Sequence, residues 1–329
     1  MIIRSRAPLR FSFGGAATDF REYFEKHGGA VLHGAISLYS FTTIEPRNDN
    51  KIIVNAIDLG INEELKERTI YDGRLDLVKA TLNKFNVPEK GANFHIHSTT
   101  PLRSGLGGSS VAVVSLVGAV KEWVGKQMTK QDIANMACNI ERDELKIPGG
   151  LQDQYAAAFG GINFVEFTKD KIVVNKLKLP DDLVNELNYR LLICYIGERK
   201  VSGLINRHIE AVNTKPHVFH EIKKIAYQMR DSLVAGDLEK LGMLWNEEWE
   251  TKKQMAEGIS NDRLDKLFKI AKSNGVIGGR VDGAGGGGHM ILLCDYKKKH
   301  DVAKALTKEG VIITPFSFDF QGLTTWMIK

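Results

Sequence analysis

A glycine-rich loop that leads directly into an apolar helix restricts the fold of this chain more than any other feature. Residues 101–110 read PLRSGLGGSS, and an apolar helix is predicted from about Ser109 to Val124. The first amides of a helix lack partners within it and carry partial positive charge, and glycines let a backbone approach an anion closely. The segment therefore predicts a phosphate-binding loop, without the spacing of a Walker loop. Alone, it also fits a flexible loop capped by Ser109.

A second glycine-rich segment lies between two predicted strands. Residues 278–288 read GGRVDGAGGGG. A tight turn needs only one or two glycines, and each further glycine costs additional chain entropy on folding. Such a run is typical of a backbone that closely approaches another backbone or a ligand. We therefore expect this segment to contribute to a functional site.

Two further segments place carboxylates beside glycines. Residues 10–19 read RFSFGGAATD and residues 148–154 read PGGLQDQ, with Glu141 on the preceding predicted helix. A carboxylate just ahead of a helix can point into a cleft and accept or orient a hydroxyl proton, and a second carboxylate can hold Mg²⁺ through oxygen ligation. In isolation, an ordinary helix N-terminus at Thr18 and solvated acids at helix ends explain the same segments.

The composition fits a two-domain globular protein and argues against several other classes. The 329 residues are 43% hydrophobic and 26% charged, as in ordinary globular proteins. The net charge of +5 is spread along the chain, which suits anionic small substrates better than nucleic acid. Cys138, Cys194 and Cys294 form no CxxC pair, which predicts buried free thiols. With no apolar run long enough for a signal peptide or a membrane span, we expect a cytoplasmic protein with neither membrane nor nucleic-acid partners.

The order of predicted strands and helices favours an α+β fold with two domains. Strand groups and helix groups are segregated within each half, which argues against a doubly wound α/β sheet. A turn predicted at Pro180 places one domain at residues 1–180 and the other at residues 181–329. The second half is compatible with a β-α-β-β-α-β sandwich that carries extra helices. Two local pairings are also predicted: a hairpin through residues 47–50 and a C-terminal strand pair at residues 311–318 and 323–328.

Taken in chain order, these segments resemble the motifs of the galactokinase, homoserine, mevalonate and phosphomevalonate kinase (GHMP) superfamily. Residues 7–19 resemble its N-terminal APGRxxLxGEHxD pattern, and residues 101–109 resemble PxxxGLGSS with one glycine in place of the first serine. Residues 280–287 resemble KxTGAGxGG, and Glu141 with residues 150–154 resembles the catalytic segment E…GxxDQ. The resemblance covers the whole chain in the family's order.

The resemblance implies an ATP-dependent phosphotransferase that acts on an alcohol group. It implies an N-terminal domain like domain 2 of ribosomal protein S5 and a ferredoxin-like C-terminal domain, with a cleft between them. It further implies Asp153 as the base or hydroxyl-orienting carboxylate, Arg10 as its charged neighbour, and Ser109 and Glu141 as Mg²⁺ ligands. The implied ATP contacts are Pro101, Ser104, Gly105, Leu106, Gly107, Gly108, Ser109 and Ser110. The implied substrate contacts are Gly14, Gly15, Thr18, Asp19, Gly150, Gln152, Gly283, Ala284, Gly285 and Gly286.

Within the superfamily, the chain looks most like bacterial D-glycero-D-manno-heptose 7-phosphate kinases. Residues 14–19, 150–161, 249–253 and 258–261 carry this likeness. The implied reaction phosphorylates the anomeric hydroxyl of the sugar 7-phosphate and gives the 1,7-bisphosphate. A substrate that already carries phosphate needs a cationic pocket. The candidates are Arg103, Arg199, Lys200 and Lys253, although a solvated basic turn explains the middle two equally well.

Departures from the family patterns keep other functions open. Ala16 and Ala17 replace the Glu-His of galactokinases, Arg280 stands where lysine is usual, and Asp282 replaces a serine or threonine. The alternatives are a kinase of an unphosphorylated sugar, of the fucokinase or galactokinase type, and a non-catalytic regulator that binds ATP or sugar. An isoprenoid-pathway kinase is a third, whose substrates would want a more apolar pocket. The exact sugar and the phosphorylated position stay open, and a homodimer is a candidate assembly.

Overall fold

Two β-sheets and the helices packed on them form the framework of the protein. The computed structural model describes residues 1–66, 70–87, 90–101, 104–198 and 203–329. In chain order, the strands in this part of the chain are β1 (Ile2–Gly14), β2 (Gly29–Pro46), β3 (Ile52–Ala56), β4 (Ile61–Glu64), β5 (Ala92–Ser98), β6 (Ile162–Phe167), β7 (Ile172–Lys176), β8 (Leu191–Tyr195), β9 (Val276–Val281), β10 (His289–Cys294), β11 (Ile312–Thr314) and β12 (Thr324–Ile328).

The helices flank the sheets and none of those described is long and apolar enough to cross a membrane. They are α1 (Arg21–His27), α2 (Asp76–Lys84), α3 (Gly108–Trp123), α4 (Lys130–Cys138), α5 (Gln152–Phe159), α6 (Asp181–Arg190), α7 (Leu204–Thr214), α8 (Pro216–Val234), α9 (Leu238–Lys253), α10 (Asp262–Ser273) and α11 (Lys299–Lys308). A π-helical turn, Asn139–Glu144, continues α4.

The first sheet has eight strands built around the long strand β2. Its main order is β12-β1-β2-β5-β3-β4, and β2 also pairs with β6, which in turn pairs with β7. Strand β5 runs antiparallel to β2 and parallel to β3, so the hairpin predicted through residues 47–50 is wrong. Strand β5 lies between β2 and β3, the two strands that residues 47–50 connect, so these two do not pair with each other. Because β3 and β5 are parallel, the chain needs a crossover connection, and it passes from β3 through β4 and α2 before it returns as β5.

Helix α3 is buried against the first sheet, which explains why its sequence is apolar almost all round. Val113 and Val117 are fully buried, and the Ser5 hydroxyl on β1 donates to the carbonyl of Ser115 at 2.6 Å. At the N-terminal end of α3, the amide of Arg10 donates to the carbonyl of Leu106 at 3.4 Å. The start of the helix is therefore held against the strand that carries Arg10.

The second sheet has the order β11-β8-β10-β9, and every neighbouring pair is antiparallel. Counted along the chain, this is the fourth, first, third and second strand, with helices after the first and third. That arrangement is the ferredoxin-like fold. The predicted α+β class and the predicted ferredoxin-like C-terminal region are therefore confirmed.

The last residues return to the first sheet. Strand β11 pairs with β8, whereas β12 pairs with β1, so the strand pair predicted at the C-terminus is wrong. The Phe318 ring stacks on Phe13 of β1, with centroids 6.3 Å apart, and burial of these aromatic rings carries the segment across the molecule. Strand β12 therefore belongs to the first sheet, although the predicted boundary between residues 180 and 181 places it in the second domain.

Candidate active site

A cleft of about 790 Å³ is lined by segments from both halves of the chain. It brings together segments that are more than one hundred residues apart in sequence. The predicted site residues that line it are Arg10, Asp19, Pro101, Ser104, Gly105, Gly107, Gly108, Ser109, Ser110, Glu141, Gly150, Gln152, Asp153, Gly283 and Ala284.

The glycine-rich loop at residues 104–110, called the phosphate loop after its predicted role, lies against Asp153 inside this cleft. Gly107 caps α3 with a φ of 82°, and a Cβ built on it would lie 3.0 Å from Asp153 Cγ. Two facts therefore require glycine here: the left-handed backbone and the closeness of the carboxylate. The first amides of α3 lack partners within the helix, and Gly108, Ser109 and Ser110 line the cleft. The side chain of Leu106 instead lies in the hydrophobic core, so only its backbone belongs to the loop surface.

Arg10 connects Asp153 to the glycine-rich segment between β9 and β10. Its Nε donates to Asp153 Oδ1 at 2.6 Å, and its Nη1 donates to Asp282 Oδ2 at 2.5 Å. The same Nη1 donates to the carbonyl of Gly105 at 3.1 Å. Because the Arg10 side chain is 4% exposed, these bonds are made in a site largely shielded from water, where charge-assisted bonds are strong. The two carboxylates raise the pKa of Arg10 against the lowering effect of burial.

Glu141 lies on the π-helical turn and meets Ser109 at the start of α3. The Ser109 hydroxyl donates to Glu141 Oε1 at 3.0 Å, and Gln154 Nε2 donates to Oε2 at 2.6 Å. Arg142 Nη1 lies 3.4 Å from Glu141 Oε1. A hydroxyl oxygen and a carboxylate side by side are the hard ligands that Mg²⁺ prefers. No group of three or more His, Cys, Asp or Glu residues in the described ranges could hold a metal ion.

Asp19 precedes α1 in the chain, and its side chain contacts the first residue of α5, Gln152. Its Oδ2 accepts a hydrogen bond from the amide of Gln152 at 2.9 Å. Burial raises the pKa of Asp19, partly opposed by that amide. Asp19 Oδ1 and Gln152 Oε1 are buried without a hydrogen-bond partner among the described residues. Two such acceptors beside a cleft suit a ligand that carries hydroxyl donors.

The glycine turn, residues 282–288, packs backbone against backbone on the phosphate loop. A Cβ on Gly283 would lie 2.9 Å from the carbonyl oxygen of Gly105. Gly285 and Gly286 instead contact Ile259: a Cβ on Gly285 would meet its carbonyl oxygen at 2.9 Å, and the Gly286 amide donates to that oxygen at 2.8 Å. The glycine run thus serves close backbone approach, and Gly285 and Gly286 lie off the cleft surface.

The three N-terminal residues Gly14, Gly15 and Thr18 also lie off the cleft surface. The amide of Gly15 donates to Glu248 Oε1 at 3.1 Å, and a Cβ on Gly14 would lie 2.8 Å from Glu248 Oε2. The Thr18 hydroxyl donates to the carbonyls of Gly15 and Ala30 at 2.8 and 2.9 Å. These residues shape the turn that presents Asp19.

Lys252 and Arg280 are cleft residues that the sequence did not predict as binding residues. Lys252 Nζ donates to the carbonyls of Gly283 at 2.6 Å and Val281 at 3.3 Å, and burial followed by the nearby Arg280 lowers its pKa to about 7. Arg280 Nη1 pairs with Glu248 at 3.0 Å. No local signal in the sequence distinguishes Lys252 from the neighbouring Lys253, because only the packing of α9 shows which of them faces the cleft.

Of the four predicted phosphate-binding residues, Lys253 is the one that lies within the described part of the chain. Lys253 pairs with Glu250 at 2.5 Å and is not among the residues that line the cleft. Arg103, Arg199 and Lys200 lie outside the described residues. No described residue from that set therefore reaches the site, and Lys252 is the neighbouring lysine that does.

Comparisons with known proteins agree with this fold and cleft. Family models described as GHMP kinases N terminal domain and GHMP kinases C terminal match residues 74–161 and 229–312. A D-glycero-alpha-D-manno-heptose 7-phosphate kinase of Campylobacter jejuni is 36% identical, covering 99% of each chain. A mevalonate kinase of Methanocaldococcus jannaschii is 28% identical over 89% of this chain and 94% of the relative. A solved D-glycero-D-manno-heptose 1-phosphate kinase from Bacteroides thetaiotaomicron superposes with a TM-score of 0.84, at 30% identity over 99% of each chain.

Fold, cleft and comparisons together define a two-domain phosphotransferase that acts on hydroxyl groups. The chain belongs to the GHMP kinase family. Its likeness to heptose phosphate kinases supports a sugar kinase within that family.

Proposed function

We propose that this protein transfers the γ-phosphate of ATP to the anomeric hydroxyl of D-glycero-D-manno-heptose 7-phosphate and so forms the 1,7-bisphosphate. The observation that carries the proposal is the placement of Asp153 against the phosphate loop, with a Cβ on Gly107 only 3.0 Å from Asp153 Cγ. A carboxylate at this distance from a phosphate site can orient a hydroxyl for in-line attack. The sugar is inferred from the heptose 7-phosphate kinase of Campylobacter jejuni.

The nucleotide would occupy the part of the cleft that runs from the phosphate loop toward α2. Its phosphates would accept hydrogen bonds from the first amides of α3, where the helix dipole favours negative charge. Beyond them, Leu75, Val78, Ile96 and Leu116 line the cleft, and this apolar surface suits a purine base. The predicted ATP contacts at Pro101 and residues 104–110 would serve this nucleotide.

The residues at the start of α3 fit a magnesium ion bound together with ATP. Ser109 and Glu141 supply adjacent oxygen ligands, and a site with one carboxylate suits Mg²⁺, which keeps several waters and binds substrate phosphates as well. When bound, Mg²⁺ would neutralise the negative charge that develops on the β- and γ-phosphates of ATP during transfer. Gln154 would hold the second oxygen of Glu141 in place through its 2.6 Å hydrogen bond.

Asp153 would orient the sugar hydroxyl and receive its proton, and Arg10 would hold the Asp153 carboxylate in place through its 2.6 Å hydrogen bond. Asp153 is 18% exposed, whereas Arg10 is 4% exposed, so the carboxylate can reach a ligand while the guanidinium is fixed behind it. The positive charge of Arg10 also offsets charge that develops during transfer. Asp19 and Gln152 would accept hydrogen bonds from other hydroxyls of the sugar through their unpartnered oxygens.

A kinase of an unphosphorylated sugar is the second candidate, favoured by the pairing of the cleft's cations. Arg10 pairs with Asp153 and Asp282, and Arg280 pairs with Glu248. Paired cations bind an additional phosphate less strongly than free ones. Lys252 lines the cleft and is the remaining described candidate on α9 for the substrate phosphate.

A coupled assay of ADP release separates these functions. Heptose 7-phosphate, heptose 1-phosphate, free heptose, fucose, galactose and mevalonate would each be tested with ATP and Mg²⁺, and ³¹P NMR would locate the new phosphate. The proposal expects the highest kcat/KM with heptose 7-phosphate and a product phosphorylated at the anomeric carbon. A preference for a free sugar supports the second candidate, and binding without ADP release from any substrate supports a regulator.

A further inference from the structure

Asp282 makes contacts that neither nucleotide binding nor sugar binding explains. Its side chain is 0% exposed, and both of its oxygens are occupied. Oδ2 accepts from Arg10 Nη1 at 2.5 Å, and Oδ1 accepts from the amide of Ser12 at 3.1 Å. In the family pattern a serine or threonine stands here, which brings no charge. A buried carboxylate at this position therefore needs a compensating partner, and Arg10 is that partner.

We propose that Asp282 is a positioning residue that fixes the Arg10 guanidinium between the phosphate loop and Asp153. The proposal rests on the proposed function, in which Asp153 orients the acceptor hydroxyl. Arg10 is held on one side by Asp282 and on the other by Asp153, and its Nη1 reaches the Gly105 carbonyl. Because guanidinium donors form a rigid planar fork, fixing Nη1 on Asp282 also fixes the direction of Nε toward Asp153.

Lys252 supports the same arrangement from α9. Its Nζ donates to the carbonyls of Val281 and Gly283, the residues on either side of Asp282. Lys252 thus holds the backbone on both sides of Asp282, and Gly283 packs against Gly105 of the phosphate loop. A continuous set of contacts therefore runs from α9 through the glycine turn and Arg10 to Asp153.

Charge balance explains why one arginine serves two carboxylates. Asp153 and Asp282 together carry two negative charges beside Arg10, and Asp19 lies close enough to influence the pKa of Arg10 as well. Lys252 also lies near Asp282, but burial followed by the nearby Arg280 lowers its pKa to about 7, so Arg10 is the main positive charge beside Asp282. Burial lowers the pKa of the neighbouring His33 to about 3, so this histidine adds no charge. Arg10 binds Asp153 through Oδ1, and the Asp153 side chain, 18% exposed, can still accept a hydrogen bond from substrate.

A double-mutant cycle tests whether Asp282 acts through Arg10. Asp282→Ala is expected to lower kcat about 10- to 100-fold, the range typical of lost second-layer support of a catalytic group. The KM for ATP and for sugar should change little. Arg10→Lys should lower kcat in the wild-type background but have little further effect in the Asp282→Ala background, because coupled residues are not additive. Asp282→Asn, which keeps one acceptor oxygen, should lie between the wild type and Asp282→Ala.

Asp319→Asn is the matched control, since Asp319 is also buried, accepts from backbone amides and lies outside the residues that line the cleft. It should leave kcat unchanged. Fully additive effects of Asp282→Ala and Arg10→Lys on kcat would overturn the proposal. So would a kcat of Asp282→Ala equal to that of Asp319→Asn when the two variants have equal thermal stability.

A crystal structure of the Asp282→Ala enzyme gives a readout that does not depend on activity. The proposal expects the Arg10 side chain to lose its contact with Asp153, which is 2.6 Å in the wild-type chain. An unmoved Arg10 contradicts the positioning role even if the assay has identified a different substrate. Failure of every sugar in the assay, with Arg10 displaced in this structure, would instead reject the proposed function and leave the positioning role standing.

Discussion

Asp153 is the residue on which the proposed chemistry most depends. We expect Asp153→Ala to lower kcat by about 10²–10⁴-fold, the usual contribution of a positioned acid–base group, while the Kd for sugar changes little. Steady-state kinetics and calorimetric titration of the sugar would measure both quantities. Asp143→Ala, on the π-helical turn but outside the residues that line the cleft, is a suitable control. Near-normal turnover of Asp153→Ala would rule out its role.

Lys252 predicts a particular dependence of stability on pH. Its pKa falls from 10.5 to about 7 in the folded protein because of burial. Between those values the unfolded chain binds more protons at this position, so the contribution of Lys252 to stability rises with pH. It is fully present above 10.5 and is lost as the pH falls toward 7.

Replacement of Lys252 by methionine removes this contribution to the pH dependence. We expect the difference in free energy of unfolding, wild type minus Lys252→Met, to increase from pH 6.5 to pH 9. Urea unfolding at several pH values measures it, with Lys253→Met as the neighbouring control on the same helix. A difference that stays flat over this range would contradict the lowered pKa.

At the scale of elements, the contact between the glycine turn and the phosphate loop holds the two halves of the site in register. Gly283 has a φ of 65°, and a Cβ there would lie 2.9 Å from the Gly105 carbonyl oxygen. We expect Gly283→Ala to raise the KM for ATP and to lower stability by about 2–3 kcal/mol, since left-handed strain adds to the backbone clash.

Gly310→Ala separates strain from contact. Gly310 has a φ of 76°, and a Cβ there would meet nothing within 4 Å. We therefore expect it to lower stability by about 1–2 kcal/mol from strain alone, with the KM for ATP unchanged. Equal effects of the two variants on the KM for ATP would show that the glycine turn does not support the loop.

The sequence predicted the elements of the site better than their partners. The loop before α3, the acid at 141 and the acid at 153 carry local signals, because glycines and carboxylates beside helix ends are visible in short windows. The sequence predicted Lys253, whereas Lys252 lines the cleft. Neighbouring lysines on a helix point in different directions, and only the packing of α9 shows which one enters the cleft. The contact of Asp282 with Arg10 joins residues 272 positions apart, which no local pattern reveals.

At the scale of the whole molecule, strand pairing was the least predictable property. The turn residues at 47–50 favour a hairpin locally, but β5 lies between the two strands that they connect. The C-terminal strands also pair with distant partners, since β12 completes the first sheet beside β1. The α+β class could be predicted because the grouping of strands and helices along the chain does not depend on which strands become neighbours.

Phe318 tests the return of the C-terminal segment to the first sheet. It is 8% exposed and contacts Phe11 and Phe13 of β1. We expect Phe318→Ala to lower the free energy of unfolding by about 3–5 kcal/mol, as for other buried aromatic residues. Phe320→Ala, at a residue that is 43% exposed, should have a much smaller effect. Chemical denaturation of both variants measures this, and equal losses would argue against the packing of Phe318.

The most direct test is a crystal structure with a non-hydrolysable ATP analogue, Mg²⁺ and heptose 7-phosphate. We predict the β- and γ-phosphates at the amides of residues 107–110, with the anomeric hydroxyl about 3 Å from Asp153 and in line with the γ-phosphate. Phosphates bound away from the start of α3, or a sugar whose anomeric hydroxyl lies far from Asp153, would contradict it.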